Sequence, residues 1–217
     1  MTHMKPASGF VTAMTAVALL LSSARSFAQP IPQVTIGGQV WMAENLDVAT
    51  FRNGDPIPEA RTEAEWRRAA ETRQPAWCHY GNDPGNGKRY GRLYNGFAVT
   101  DPRGLAPAGW HMPTDAEWTA LTDQLGGPKT AGAALKSSSG WKNRGNGSNA
   151  SGFSARPGGD RGYDGLFVLL QEDGGWWSAT IKDDGLLWGR TLRATSDEIY
   201  RDGCYTAAGF SVRCIRD

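Results

Sequence analysis

Apolar residues along the chain come in short runs, broken every few positions by Gly, Pro, Asn or Asp, which predicts brief strands joined by tight turns. Val34-Thr35-Ile36 and Gln39-Val40-Trp41-Met42 flank Gly37-Gly38. Two β-favouring runs around a two-residue glycine turn read as a hairpin. Helical spacing occurs twice. Thr62 with Glu65 three residues on forms a capping box, followed by Trp66, Ala69 and Ala70 on one face and by a stop at Pro75. Thr114 with Glu117 repeats the device, with Trp118, Leu121 and Leu125 on one face and Gly126-Gly127 as the stop.

Segments 53–58 and 82–87 are rich in Asn, Gly, Asp and Pro and read as loops. Segment 137–149, rich in Ser, Gly and Asn, reads as a longer loop pinned to the body by Trp141. The last third is read as β throughout, with strands at 152–155, 165–169, 176–180, 187–192 and 209–215. In the last of these, Phe210, Val212 and Cys214 alternate with Ser211 and Arg213, the period of a half-buried strand. The expected fold is therefore α+β, with twisted antiparallel strands, two short helices and long loops.

The first 28 residues change the picture of where the chain works. Lys5 gives a positive start, Val11 to Leu21 is apolar but short for a bilayer, and Ser26-Phe27-Ala28 offers small residues to a signal peptidase. Residues 1–28 are thus expected to be an export signal and 29–217 one mature domain, periplasmic or extracellular; an uncleaved anchor is the competing reading. Full-length net charge is +1, so the chain carries no electrostatic footprint for nucleic acid. No further transmembrane segment is expected. Nine Trp and 28 Gly suggest a core filled by aromatic rings between tight turns. In an oxidising compartment Cys78, Cys204 and Cys214 are disulfide candidates. Three pairings exist; a bond involving Cys214 is favoured, its partner is left open, and one thiol is left over.

Several motifs, in order, resemble the Fibrobacter succinogenes major paralogous domain family. They are Gly38-Gln39-Val40-Trp41-Met42-Ala43-Glu44-Asn45-Leu46, Trp77-Cys78-His79-Tyr80-Gly81-Asn82-Asp83 and Tyr90-Gly91-Arg92-Leu93-Tyr94-Asn95. Gly109-Trp110-His111-Met112-Pro113-Thr114-Asp115-Ala116-Glu117-Trp118 follows, then Gly152 to Gly159, Trp176-Trp177-Ser178-Ala179-Thr180 and the closing Gly209-Phe210-Ser211-Val212-Arg213-Cys214. The resemblance runs from about Val34 to Asp217 and implies a C-type-lectin-like fold. One departure is Ala106-Pro107-Ala108-Gly109-Trp110, where the family often has Cys before the turn. Family disulfides are therefore not carried over.

The same resemblance brings two chemistries to weigh. Calcium-dependent sugar binders of this fold use a Glu-Pro-Asn or Gln-Pro-Asp triplet, and this chain has neither. Asp160, Asp164, Asp173, Asp183 and Asp184 remain a candidate calcium set, against the plainer reading of solvated turn residues. Copper-dependent formylglycine-generating enzymes need two close reactive thiols on a late strand; Cys204 and Cys214 are late but nine residues intervene. His111 and His79, with Asp115 and Glu117, match no metal-ligand spacing, and His111 is expected to be structural. No catalytic residue is nominated.

Binding has the better support. Segment 183–208 would form the exposed late-strand loops, and Trp188, Arg190, Arg193, Tyr200, Arg201 and Tyr205 there offer stiff rings and planar donors. The expected function is non-catalytic recognition of a glycan or surface protein. A copper-dependent oxidoreductase and a structural envelope protein are the rivals.

Overall fold

A computed structural model describes residues 1–3 and 30–217. The export signal expected at residues 1–28 lies, but for its first three residues, outside the described part. From Ile31 to Asp217 the chain forms one compact unit. It is a mixed α+β structure in which all pairing between named strands is antiparallel. No helix among the described residues is long and apolar enough to cross a membrane.

The hairpin comes first: β1 (Gln33–Ile36) and β2 (Gln39–Met42) pair around Gly37, whose φ of 59° suits glycine. Next are α1 (Glu63–Glu71), β3 (Trp77–Cys78), a 3-10 turn at Tyr80–Asn82, α2 (Pro84–Tyr90), β4 (Leu93–Asn95) and α3 (Gly96–Val99). After β5 (Trp110–His111) come α4 (Asp115–Gln124) and α5 (Ala131–Leu135). Seven strands close the chain: β6 (Asp160–Arg161), β7 (Phe167–Val168), β8 (Asp173–Asp183), β9 (Leu186–Arg193), β10 (Ile199–Tyr205), β11 (Gly209–Phe210) and β12 (Ile215–Arg216). They make three sheets, of order β1-β2-β12-β5, β10-β9-β8 and β3-β4-β11-β6-β7.

Both capping boxes form. Thr62 Oγ1 accepts from Glu65 N (3.1 Å), and Glu65 Oε2 accepts from Thr62 N (2.9 Å). At α4, Thr114 and Glu117 do the same. The helix count departs from expectation: five α-helices are present among the described residues rather than two. The loop expected at 82–87 opens α2 instead. Asp83 caps it, accepting from Gly85 N at 2.8 Å, and Pro84 occupies the first turn, where it needs no N–H partner. Gly87 is required there because a Cβ would overlap the His79 ring.

Two further expectations are corrected. Segment 152–155 is irregular, with only Ala155 bridging Lys136, and Ser154 sits at a φ of 55°. Segment 209–215 is not one half-buried strand. It breaks after Phe210, and Ser211 to Cys214 run buried through the core. Their backbone is satisfied by separate neighbours: Ser211 O accepts from Trp177 N, Val212 O from Leu46 N and Cys214 O from Met42 N. Ile215 then pairs with both Trp41 and His111, so the closing residues lie between the opening hairpin and the Trp-His segment.

The core is aromatic, as composition suggested. Trp41, Trp118, Phe153 and Trp176 stack edge to face or tilted, with centroids 4.7 to 6.4 Å apart. Their indole N–H groups find oxygen: Trp118 donates to Trp177 O, and Trp176 to Asn45 Oδ1. Trp141 is buried and donates to Ala155 O at 3.1 Å, which pins the 137–149 loop. Eight of the nine tryptophans are buried, and Trp188 is the exception.

No disulfide forms. Cys78, Cys204 and Cys214 are all free thiols. Cys78 packs with Trp66 and Leu93, whereas Cys214 lies in a different cluster with Trp77, Tyr94 and Val212. Cys204 stands near the end of the edge strand β10, opposite Leu187 and against Gly189. Cys78 sits in its own cluster, and Cys204 packs against the cluster that holds Cys214, yet all three stay free, so the pairing expected from compartment alone is not made.

Candidate functional site

The late segment expected as loops is mostly sheet. β9 and β10 register from Leu186 opposite Tyr205 to Leu192 opposite Ile199. Successive side chains point to opposite faces, so the six candidate residues divide. Trp188, Arg190 and Arg201 share the face that also carries Leu192 and Ile199, under α4. Arg193 and Tyr200 share the other. Tyr205 ends β10.

On the α4 face, Asp115 gathers two arginines. Arg190 Nη1 donates to Asp115 Oδ1 at 2.8 Å; Arg201 donates through Nε to Oδ1 (2.9 Å) and Nη2 to Oδ2 (2.8 Å). Arg190 is 3% exposed, and its Nη2 also donates to Asp115 O and Thr119 Oγ1. Its donors are committed inside the protein, and it positions rather than presents. Burial works to raise the Asp115 pKa, but the hydrogen bonds from Arg201 and Arg190 outweigh it and hold the carboxyl below its usual range. A small cavity of about 120 Å³ opens beside the pair between α4 and β10, lined by Thr119, Thr122, Pro128 and Ile199.

Arg201 then reaches outward. Its guanidinium lies 3.4 Å from the Trp188 ring centroid, and Lys182 Nζ lies 4.9 Å from it. Gly203 makes room for this: a Cβ there would come within 2.5 Å of the Lys182 chain. The Trp188 N–H has no hydrogen-bond partner among the described residues. At the end of β10, Tyr205 is 62% exposed and packs edge-on against Tyr163, itself 63% exposed, at 5.7 Å. On the opposite face Arg193 stacks over Tyr200 at 4.2 Å and meets Asp173 at 3.6 Å. The structure thus brings Trp188 and Arg201 together with Lys182, which the sequence had not singled out. Arg193 with Tyr200, and Tyr205 with Tyr163, form two separate contacts.

His111 is held between two carboxylates, Nε2 2.8 Å from Glu117 Oε1 and Nδ1 2.9 Å from Asp217 Oδ1. Burial opposes protonation, yet these bonds prevail and raise the imidazole pKa. It staples the start of α4 to Asp217, just past the last strand.

The five loop aspartates do not converge as calcium ligands. Asp160 and Asp173 share a cavity of about 170 Å³ with Arg193 and Phe210. Asp164 accepts from Leu166 N in its own turn, and Asp183 and Asp184 sit at the β8–β9 turn. Among the described residues no three of His, Cys, Asp or Glu form a metal-holding group. The Asp160 carboxyl is pushed up to about 6 by burial, aided by Asp173. Nor do the thiols fit a copper pair. Burial pushes Cys204 and Cys214 each up to about 12, and they share no charged neighbour: Asp202 and Lys182 act on one, Arg213 and Arg52 on the other.

Fold and surface together define a small mixed α+β domain with an aromatic core and a cluster of half-buried Trp188 with exposed Arg201 and Lys182 on the β8–β9–β10 sheet. The family model of the Fibrobacter succinogenes major domain matches residues 34–216, and the chain belongs to that family. No curated protein and no solved structure matches it.

Proposed function

We propose that this chain is an exported, non-catalytic recognition module with a C-type-lectin-like core. It binds a glycan or protein of the cell envelope or the surrounding medium through the half-buried Trp188 and the exposed Arg201 on β9 and β10. The carrying observation is Trp188. Eight tryptophans are buried in the core, while this one is only half-buried, with Arg201 anchored by Asp115 against its ring. An aromatic side chain fixed in place before binding loses little entropy on contact, which is the usual make-up of a binding hot spot. The leader-like residues 1–28 support export. The late thiols, unbonded and kept protonated by burial, weigh against the oxidoreductase alternative. A structural envelope role would show as self-association in light scattering.

The test is binding of residues 29–217 to a panel of glycans and purified surface proteins, with calcium and again with EDTA. The expected result is binding that survives EDTA and weakens about tenfold or more in Trp188→Ala. Binding that is untouched by Trp188→Ala and Arg201→Ala would remove this face from the account. Loss in EDTA would return the loop aspartates to it.

A further inference from the structure

A second polar site lies away from β9 and β10 and shares no lining residue with them. A cleft runs between the end of α2, the 137–140 turn and the 154–157 segment, in two lobes divided by Arg89, Tyr90, Ser154 and Arg156. The larger lobe holds about 320 Å³ and the smaller about 100 Å³. Arg89 and Arg156 are exposed, and Arg156 is steadied by donating from Nη1 to Arg89 O at 3.0 Å. Among the described residues neither forms an ion pair, and neither does Lys88 at the rim.

A third arginine lies below them, with Glu44 acting on it only through space. Arg213 lines the smaller lobe and is 1% exposed, yet it has no carboxylate in hydrogen-bond contact. It donates to Asn45 Oδ1 (2.9 and 3.1 Å), Met42 O (2.9 Å) and Phe153 O. Burial lowers its pKa, but a guanidinium keeps its charge at neutral pH. Glu44 and Asp47 line the smaller lobe only, and Asp47 is taken by Arg92 at 2.8 Å. No carboxylate lines the larger lobe, where Ser138, Ser139 and Gln171 add neutral hydrogen-bonding groups.

The geometry points to a uronic-acid residue of a polysaccharide as the occupant of the larger lobe. Its carboxylate lies on Arg89 and Arg156, whose planar forks match a carboxylate, and its ring hydroxyls meet Ser138, Ser139 and Gln171. The lobe is at the lower end of the volumes that hold small organic ligands and is much larger than an inorganic anion needs. Hydroxyl and amide groups around two cations answer a sugar acid better than a bare ion.

Calorimetric titration of residues 29–217 with tri-galacturonate, galactotriose and sodium sulfate tests this. Tri-galacturonate is expected to bind at least about tenfold more tightly than galactotriose, and equimolar sulfate should not displace it. Arg89→Ala and Arg156→Ala should each weaken it about tenfold. Arg68→Ala, which removes an exposed arginine on α1, should not, and thermal melts should show all three variants folded. Equal binding of the two trisaccharides, displacement by equimolar sulfate, insensitivity to both cleft substitutions, or no binding of tri-galacturonate would each overturn the assignment. None of these outcomes depends on Trp188, so failure here is distinct from failure of the β9–β10 face.

Discussion

Two groups of arginines carry positive charge at opposite kinds of site. Beside β9, Arg190 and Arg201 converge on one carboxylate, Asp115, which binds both guanidiniums and neutralises one of the two charges. In the cleft, Arg89 and Arg156 have no acid partner among the described residues, and Arg213 beneath them is held by carbonyls and an amide. The first arrangement fixes geometry: it clamps α4 to the sheet and sets Arg201 against Trp188. The second leaves potential for something outside the molecule. The same residue type serves as a fastener where a carboxylate meets it and as a candidate receptor where none does.

The largest expected effect comes from breaking the answered pair. Asp115→Ala would strand Arg190 as a buried, unpaired charge and is expected to cost about 3–5 kcal/mol in urea unfolding. Adding Arg190→Met should restore part of that loss. If Asp115→Ala cost under about 1 kcal/mol, the pair would not be the fastener described.

Next comes an unanswered charge of the other sign. Asp160 has its folded pKa raised to about 6, so the native state holds a proton that the unfolded chain gives up near pH 4. Stability associated with Asp160 is therefore full below about pH 4 and falls as pH rises through 6. Asp160→Asn should stabilise the protein by about 1–3 kcal/mol at pH 7 and have little effect at pH 4. Equal effects at both pH values would show that the carboxylate finds a partner.

The smallest effect concerns His111. Its pKa is raised by Glu117 and Asp217 against the opposing pull of burial, so its contribution is present below about pH 6.5 and lost as pH rises through the higher folded value. Because the ring is 37% exposed, the effect should stay under about 1 kcal/mol. The melting temperature of the native protein should drop relative to His111→Gln between pH 6 and pH 8.5. A constant gap would mean that the imidazole does not titrate as described.

What could be read from sequence follows from how local each signal is. The Thr62/Glu65 and Thr114/Glu117 boxes and the Gly37-Gly38 hairpin need only a few neighbouring residues, and all three form. α2 was hidden because Gly85 and Gly87 lower helix propensity, while the His79 ring that demands Gly87 arrives from outside the helix. β10 was hidden by Asp202-Gly203, a pair that reads as a turn; pairing with Gly189 and Trp188 of β9 holds it extended. Trp188 and Arg201 were identifiable as candidates, but the burial of Arg190 depends on its place on the central strand β9 beneath α4, whereas Arg201 opposite it lies on the edge strand β10. The cleft left no local trace, since Arg89, Ser138 and Arg156 meet only through tertiary folding.

The contrast between answered and unanswered arginines is open to one direct measurement. Arginine Nε–H resonances of residues 29–217 would be followed by NMR during titration with tri-galacturonate. The account predicts that Arg89 and Arg156 shift together and saturate, while Arg190 and Arg201, held by Asp115, stay in place. Shifts at Arg190 and Arg201 with Arg89 and Arg156 unmoved would contradict it.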